Sequence, residues 1–283
     1  MSPIAIWFVS GYGYLTLLAL VTLALLGSVT FRSERLVRSL LTAGILASLL
    51  LLLTGSPVSN WLQGGLVAAV GVQLILSAKQ SWRSSFAAAA CLALGVSLLA
   101  AILEFRTWAV PRVEKRVEGL VVVGDSLSAG IKSGERTWPI ELAGRLGVPV
   151  SNRSRAGAHS DSGVELLGAH TLSGQTVIIL LGGNDMLSDG DASDFEHNLD
   201  ALVSAVKASG GLPILIQFPA IPARGAFPAA VAGVARRHDV PMIHRRLLAS
   251  VLGMRGSTVD GLHLSESGHH ALAEAMQKIL STR

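Results

Sequence analysis

The stretch Val121-Val-Val-Gly-Asp-Ser-Leu-Ser-Ala-Gly130 decides the fold of the second half of this 283-residue chain. Its β-branched run followed by glycine predicts a buried strand that ends in a tight turn, with Ser126 at the carboxyl end of the strand. A serine in that position can act as a nucleophile when a base and an oxyanion site face it. Because Gly-Asp-Ser also makes ordinary turns, the stretch alone leaves catalysis and a structural role open.

A repeating order of strands and helices surrounds this stretch. Short runs rich in Val, Ile and Leu predict five strands, at 120–124, 148–152, 176–182, 212–218 and 240–243. Helical patterns lie between them, one from Phe195 behind a Ser193-x-x-Glu196 capping box and another beginning near Ser265. Strands that alternate with helices predict an α/β domain with a parallel, three-layer sheet. In such a sheet the functional site lies outside the carboxyl ends of the strands.

The first half of the chain has a different composition. The whole chain is 50% hydrophobic and 15% charged, with a positive mean hydropathy, so we expect part of it to lie in lipid. Segments without charged side chains predict four transmembrane helices, within 1–31, in two pieces of 39–78 and in 84–103. The sequence therefore predicts a four-helix transmembrane region at 1–105, a linker at 106–118 and a folded domain at 119–283.

The charge distribution orients this predicted membrane region and limits the partners. Basic residues follow the first and third segments, which places those loops in the cytoplasm and both termini outside. The four basic residues between 106 and 116 argue against that orientation. Residues 1–118 carry 9 Lys/Arg and 4 Asp/Glu, and residues 119–283 carry 14 Lys/Arg and 15 Asp/Glu. The basic surplus therefore belongs to the predicted membrane region and gives no case for nucleic-acid binding. Cys91 is the single cysteine, which excludes a disulfide within one chain.

Polar residues that ester hydrolysis needs follow the predicted strands. Gly157 comes after the second strand and Asn184 after the third, while Asp260 and His263 precede the last predicted helix. His263 can accept the Ser126 proton and pass it to the leaving group, and Asp260 can hold the imidazole tautomer. The backbone N–H groups of Ser126 and Gly157 and the Asn184 amide can bind the oxyanion.

These pieces, in this order, resemble the SGNH (GDSL) hydrolase superfamily. The sequences G-D-S-L-S-A-G at 124–130 and L-G-G-N-D at 181–185 are similar to the bacterial thioesterase/lysophospholipase and arylesterase branch, although Leu264 stands where that branch often has proline. The resemblance implies a flavodoxin-like α/β/α sheet, a triad of Ser126, His263 and Asp260, and no metal or organic cofactor. It does not reach residues 1–118. The G-x-S-x-G motif of α/β-hydrolases is absent, because Ser128 occupies its second glycine position.

The function that follows is a membrane-anchored serine esterase or acylhydrolase acting on carboxylic esters or thioesters. Its expected partners are a lipid, aryl or glycan ester and membrane lipid, and its expected location is a multi-pass protein of the bacterial inner membrane with an extracytoplasmic catalytic domain. An envelope polysaccharide O-deacetylase and a non-enzymatic membrane partner with a hydrolase fold are the alternatives, and the oligomeric state stays open. Asp125 and Asp185 are expected to fix turn geometry, and His269 and His270 to lie on the surface.

Overall fold

The computed structural model describes residues 12–31, 33–51, 65, 67–72, 75, 95–96, 98–99, 102, 117–219, 221 and 224–281. These residues divide into two compact units. The first contains the helices α1 (Tyr12–Thr30) and α2 (Glu34–Leu51). The second unit, taken in chain order, consists of β1 (Leu120–Gly124), α3 (Ser126–Ala129), α4 (Trp138–Leu146), β2 (Val150–Asn152), a 3₁₀ turn (Ser160–Ser162), α5 (Gly163–Leu167), β3 (Thr176–Leu180), α6 (Gly183–Leu187), α7 (Ala192–Ala208), β4 (Leu212–Ile216), α8 (Ala226–His238), β5 (Met242–Ile243), α9 (Arg245–Gly253) and α10 (Glu266–Ser281).

In the first unit, α1 and α2 pack through an apolar cluster that includes Leu25 and Leu41. The helices lie where the sequence predicts the first two membrane spans, whereas most of the third and fourth spans falls outside the described residues. Within the described ranges, no helix combines the length and the apolar character needed to cross a membrane. The prediction of four transmembrane helices is therefore not supported. For α2 the reason is its charged first turn, since the helix begins at Glu34 and includes Arg35 and Arg38.

The second unit contains a five-stranded parallel sheet with the order β2-β1-β3-β4-β5. The predicted α/β class and all five predicted strands are confirmed, with shorter bounds for four of them. β1 and β3 are buried along their whole length, as expected for central parallel strands. The chain moves from β1 to β2 in one direction and from β3 to β5 in the other, so the topological switch point lies at β1.

The helices of this unit form two packed groups. α4 packs against α10 and α10 against α9, while α7 packs against α5 and α8. Because parallel connections are right-handed, the reversal of direction at β1 places the two groups on opposite faces of the sheet. The result is a three-layer α/β/α arrangement with the carboxyl ends of β1, β2 and β3 side by side.

For α7, the predicted apolar face is correct, but the predicted capping box is wrong. α7 buries Leu199, Leu202, Val203 and Val206 as the pattern predicts. However, α7 begins at Ala192 and not at the predicted capping box, because the carboxylate of Asp191 already accepts the backbone N–H of Ser193 at 2.6 Å. Glu196, the expected partner in the box, instead forms an ion pair with Arg237 of α8.

The surface prediction for the histidine pair of α10 is correct for His270 and wrong for His269, which is 1% exposed. His269 shares the inward face of the helix with Leu272 and Met276, three and seven residues further on. Its Nδ1 accepts the backbone N–H of Trp138 at 3.2 Å, which ties α10 to the first residue of α4.

Candidate active site

The predicted nucleophile lies directly after the central strand β1. Gly124 ends the strand, Asp125 caps α3, and Ser126 is the first residue of that helix with a half-buried side chain. A Cβ atom at Gly124 would lie 2.7 Å from Ser128 Oγ and 2.9 Å from the Leu180 carbonyl oxygen. This position therefore requires glycine, because the Ser128 side chain of α3 and the Leu180 carbonyl oxygen of β3 leave no room for a Cβ atom.

Asp125 fixes the conformation of this turn, as predicted. Its carboxylate is only 3% exposed and accepts the backbone N–H of Leu127 at 2.9 Å. Burial raises the pKa of Asp125 to about 7, and hydrogen bonds from the backbone together with the positive charge of His263 offset part of that rise.

The loop that carries Gly157 is attached to the same turn. Asn152, the last residue of β2, donates from its side chain to the Ser128 carbonyl oxygen at 2.7 Å. The backbone N–H of Arg155 donates to the Gly124 carbonyl oxygen at 3.1 Å. Gly157 itself is exposed with a φ of +75°, and no heavy atom lies within 4 Å of its Cβ position. Glycine suits this position because its backbone conformation is left-handed.

Asn184 reaches this loop from the end of the neighbouring strand β3. It lies in the first turn of α6, and its Nδ2 donates to the Ala158 carbonyl oxygen at 2.9 Å. The bond uses one of the two amide protons, which leaves the second proton for another acceptor. Since Ala158 follows Gly157 directly, the structure brings two of the predicted oxyanion donors into one region.

Asp260 and His263 form a pair within one short loop. His263 Nδ1 donates to Asp260 Oδ2 at 2.6 Å, and Asp260 Oδ1 accepts the backbone N–H groups of Leu262 and His263 at 2.9 and 2.8 Å. These hydrogen bonds, that of the His263 side chain first, hold the pKa of Asp260 well below its usual range. An isolated antiparallel bridge between Thr258 and Leu264 closes the loop behind them. Because Nδ1 carries the proton, Nε2 of neutral His263 is the accepting nitrogen.

The pair and the predicted nucleophile are not joined by a hydrogen bond in the described part of the chain. Hydrogen bonds of this kind are often long in a site without substrate and shorten when substrate binds. The structure therefore joins Asp260 to His263, and Asn184 to Ala158, the residue after Gly157.

Other polar residues near the site form hydrogen bonds that connect its loops to the neighbouring helices. Arg153 donates to the Leu167 carbonyl oxygen, and Arg155 pairs with Glu165 at 3.1 Å, so both arginines connect the loop after β2 to α5. Asp185 is buried and accepts two hydrogen bonds from Ser160. The structural roles of Asn152 and Ser160 could not be predicted, because their partners lie 24 and 25 residues away along the chain.

A parallel sheet with a serine at the end of its first strand and an Asp-x-x-His loop near its C-terminus defines an SGNH-type hydrolase. The family model described as GDSL-like Lipase/Acylhydrolase matches residues 122–271. The chain is 32% identical over 171 residues to thioesterase 1/protease 1/lysophospholipase L1 of Escherichia coli strain K12, which covers 57% of this chain and 82% of that protein. An arylesterase of Vibrio mimicus is 32% identical over 140 residues, 46% of this chain and 68% of the arylesterase.

A solved structure agrees with these relatives. The crystal structure of TesA matches with a TM-score of 0.50 at 27% identity and covers 57% of this chain and 97% of TesA. The chain belongs to the GDSL-like lipase/acylhydrolase family, and it is an ester hydrolase.

Proposed function

We propose that this chain is a serine esterase or acylhydrolase in which Ser126 is the nucleophile, His263 the general base and Asp260 the residue that orients the imidazole. The observation that carries the proposal is the 2.6 Å hydrogen bond from His263 Nδ1 to Asp260 Oδ2. This bond leaves Nε2 as the proton acceptor and stabilises the imidazolium that forms during catalysis. The remaining support is the position of Ser126 at the end of β1.

In the proposed reaction, Ser126 Oγ attacks the carbonyl carbon of the ester while His263 Nε2 takes the hydroxyl proton. The carbonyl oxygen becomes an oxyanion that accepts hydrogen bonds from the backbone N–H groups of Ser126 and Gly157 and from Asn184 Nδ2. The intermediate then expels the alkoxide or thiolate, which receives the proton from Nε2. Water hydrolyses the acyl-serine by the same steps, releasing the acid and restoring Ser126.

The proposed substrates are acyl esters of lipids or aryl alcohols and acyl thioesters. The relatives described as a thioesterase/lysophospholipase and an arylesterase support this class. Every residue in the proposed chemistry lies within 119–283, which we propose as the catalytic domain, with 106–118 as the linker to the first half. The chemistry requires neither a metal ion nor an organic cofactor, and it does not depend on attachment to a membrane.

A fluorophosphonate probe, which phosphonylates activated serines, tests the nucleophile. The wild-type protein should be labelled, and Ser126→Ala should abolish labelling. Ser128→Ala is the matched control, because Ser128 lies two residues away in the same helix and is fully buried. Persistent labelling of a folded Ser126→Ala protein would show that the nucleophile is another residue.

The substrate class needs a separate measurement. We expect p-nitrophenyl esters of rising chain length and an acyl thioester to be hydrolysed in a Ser126-dependent manner, with kcat/KM reporting the preferred acyl group. An acetylated glycan serves as the comparison substrate. Faster release of acetate from the glycan than turnover of every acyl ester would contradict the proposed class and favour an O-deacetylase.

A further inference from the structure

A second connection between the loops of Gly157 and Asn184 lies outside the proposed chemistry. Asp185, next to Asn184 in α6, accepts the hydroxyl proton of Ser160 at 2.5 Å and the backbone N–H of Ser160 at 3.0 Å. Both residues are buried, with exposures of 8% and 3%. We call this connection the Asp185–Ser160 clasp. The hydrogen bond from the hydroxyl is short because its acceptor is a carboxylate.

The clasp is also braced from α7. Asn198 Nδ2 donates to Ser160 Oγ at 3.2 Å, so the hydroxyl both accepts and donates. On the other side of the carboxylate, His159 Nδ1 lies 3.8 Å from Asp185 Oδ2. A buried hydroxyl with both functions satisfied has one preferred orientation, which makes the clasp rigid.

The clasp and the amide of Asn184 attach the same two segments at two points. Asn184 donates from α6 to the Ala158 carbonyl oxygen, whereas Asp185 accepts at α6 from Ser160. A single attachment would let the loop rotate about it, but two attachments with opposite hydrogen-bond direction fix both distance and angle. Gly157 has no side chain, and the space where one would stand is open. Neighbouring residues must therefore hold its N–H in place.

We propose that Asp185 and Ser160 are positioning residues of the oxyanion site, which set the spacing between the Gly157 N–H and Asn184 Nδ2. This proposal rests on the proposed function, since it assumes that these two groups bind the oxyanion. Donors stabilise the transition state only when they already point at the developing charge, so a small displacement should lower turnover. A role confined to folding would lower stability and leave turnover of the folded enzyme unchanged.

The test uses the full-length protein and a p-nitrophenyl ester. Asp185→Asn keeps the shape of the side chain but removes the charge and one acceptor oxygen. We expect kcat to fall by roughly 10–100-fold, less than the loss of a whole oxyanion donor, with KM changed by less than about threefold. Asp191→Asn is the matched control, because Asp191 also accepts a backbone N–H, at the start of α7, but makes no link between the two loops. It should leave kcat unchanged.

A double-mutant cycle separates positioning from other causes. If the clasp acts through the Asn184 amide, Asp185→Asn should reduce kcat far less in an Asn184→Ala background than in the wild type. Equal reductions in both backgrounds, or an unchanged kcat in the folded Asp185→Asn protein, would overturn the proposal. Ser160→Ala is measured in the same two backgrounds. If Asp185→Asn does not fold, the kcat values of Ser160→Ala decide whether the clasp acts through Asn184. Fluorophosphonate labelling of wild-type Ser126 is measured in parallel, so that failure of the proposed function is recognised separately.

Discussion

Replacement of Asp125 by asparagine removes a carboxyl group that the fold buries at the start of α3. Burial raises its pKa from 3.8 to about 7, a shift of about 3 pH units, which corresponds to about 4 kcal/mol of stability at 1.36 kcal/mol per unit. The folded-state pKa is the higher one, so this stability is present below pH 3.8 and is lost as the pH rises through 7. Asparagine does not titrate and still offers an oxygen to the Leu127 N–H.

The expected result is a stability difference that grows with pH. Asp125→Asn should match the wild type near pH 4 and exceed it by up to about 4 kcal/mol at pH 8, because only the wild type must bury a carboxylate there. Urea unfolding at pH 4, 6 and 8 measures the difference directly. Asp191→Asn, a change at an exposed helix cap, controls for general effects of lost charge. A difference that does not vary with pH, or a less stable Asp125→Asn protein at pH 8, would refute the reasoning.

Further predictions concern the site and the packing beneath it. Asn184→Ala should lower kcat by roughly 10²–10³ with little change in KM, and a change mainly in KM would make Asn184 a substrate-binding residue. Asp260→Asn should lower kcat by at least about 10² while the circular dichroism spectrum stays that of the wild type; near-normal turnover would contradict its orienting role. Gly183→Ala should lower the unfolding free energy in urea by roughly 1–3 kcal/mol, because the new Cβ would lie 2.8 Å from the Phe218 ring. Gly144→Ala, where the new Cβ would meet no atom from outside its own stretch of helix, is the control and should be neutral or stabilising by up to about 1 kcal/mol.

The sheet could be predicted from the sequence because its strands are short apolar runs separated by polar turns. Residues 120–124 match β1 at both ends, since Gly124 ends the apolar run at the point where the chain turns into α3. At 240–243 the strand proper is only Met242–Ile243, because its length depends on the hydrogen bonds that β4 offers. The first half shows the opposite case. The absence of charge over long segments predicted four spans there, but the described helices do not support them.

The site also has a part that could be predicted from the sequence and a part that could not. The residues proposed for the chemistry could be found because each follows a strand or precedes a helix in a recognisable short motif. Their supports could not, because nothing near Ser160 or Asn152 in the sequence shows which distant group each contacts. His269 is a related case. Histidine is intermediate in its tendency to be buried, so the sequence does not decide the matter, and the hydrogen bond to the backbone N–H of Trp138 in α4 explains why this one is buried.

The turn of Ser126 lies near the start of the domain and the loop of Asp260 and His263 near its end, which has a consequence for the order of events during synthesis. Ser126 precedes His263 by more than half the length of the catalytic domain, and α10, which follows the histidine, attaches to α4 through His269 and Trp138. A chain that has emerged only as far as β5 contains the proposed nucleophile but lacks the proposed base. With these roles, hydrolysis is expected to begin only after nearly the whole domain has been synthesised. The appearance of esterase activity during refolding should report the docking of α10.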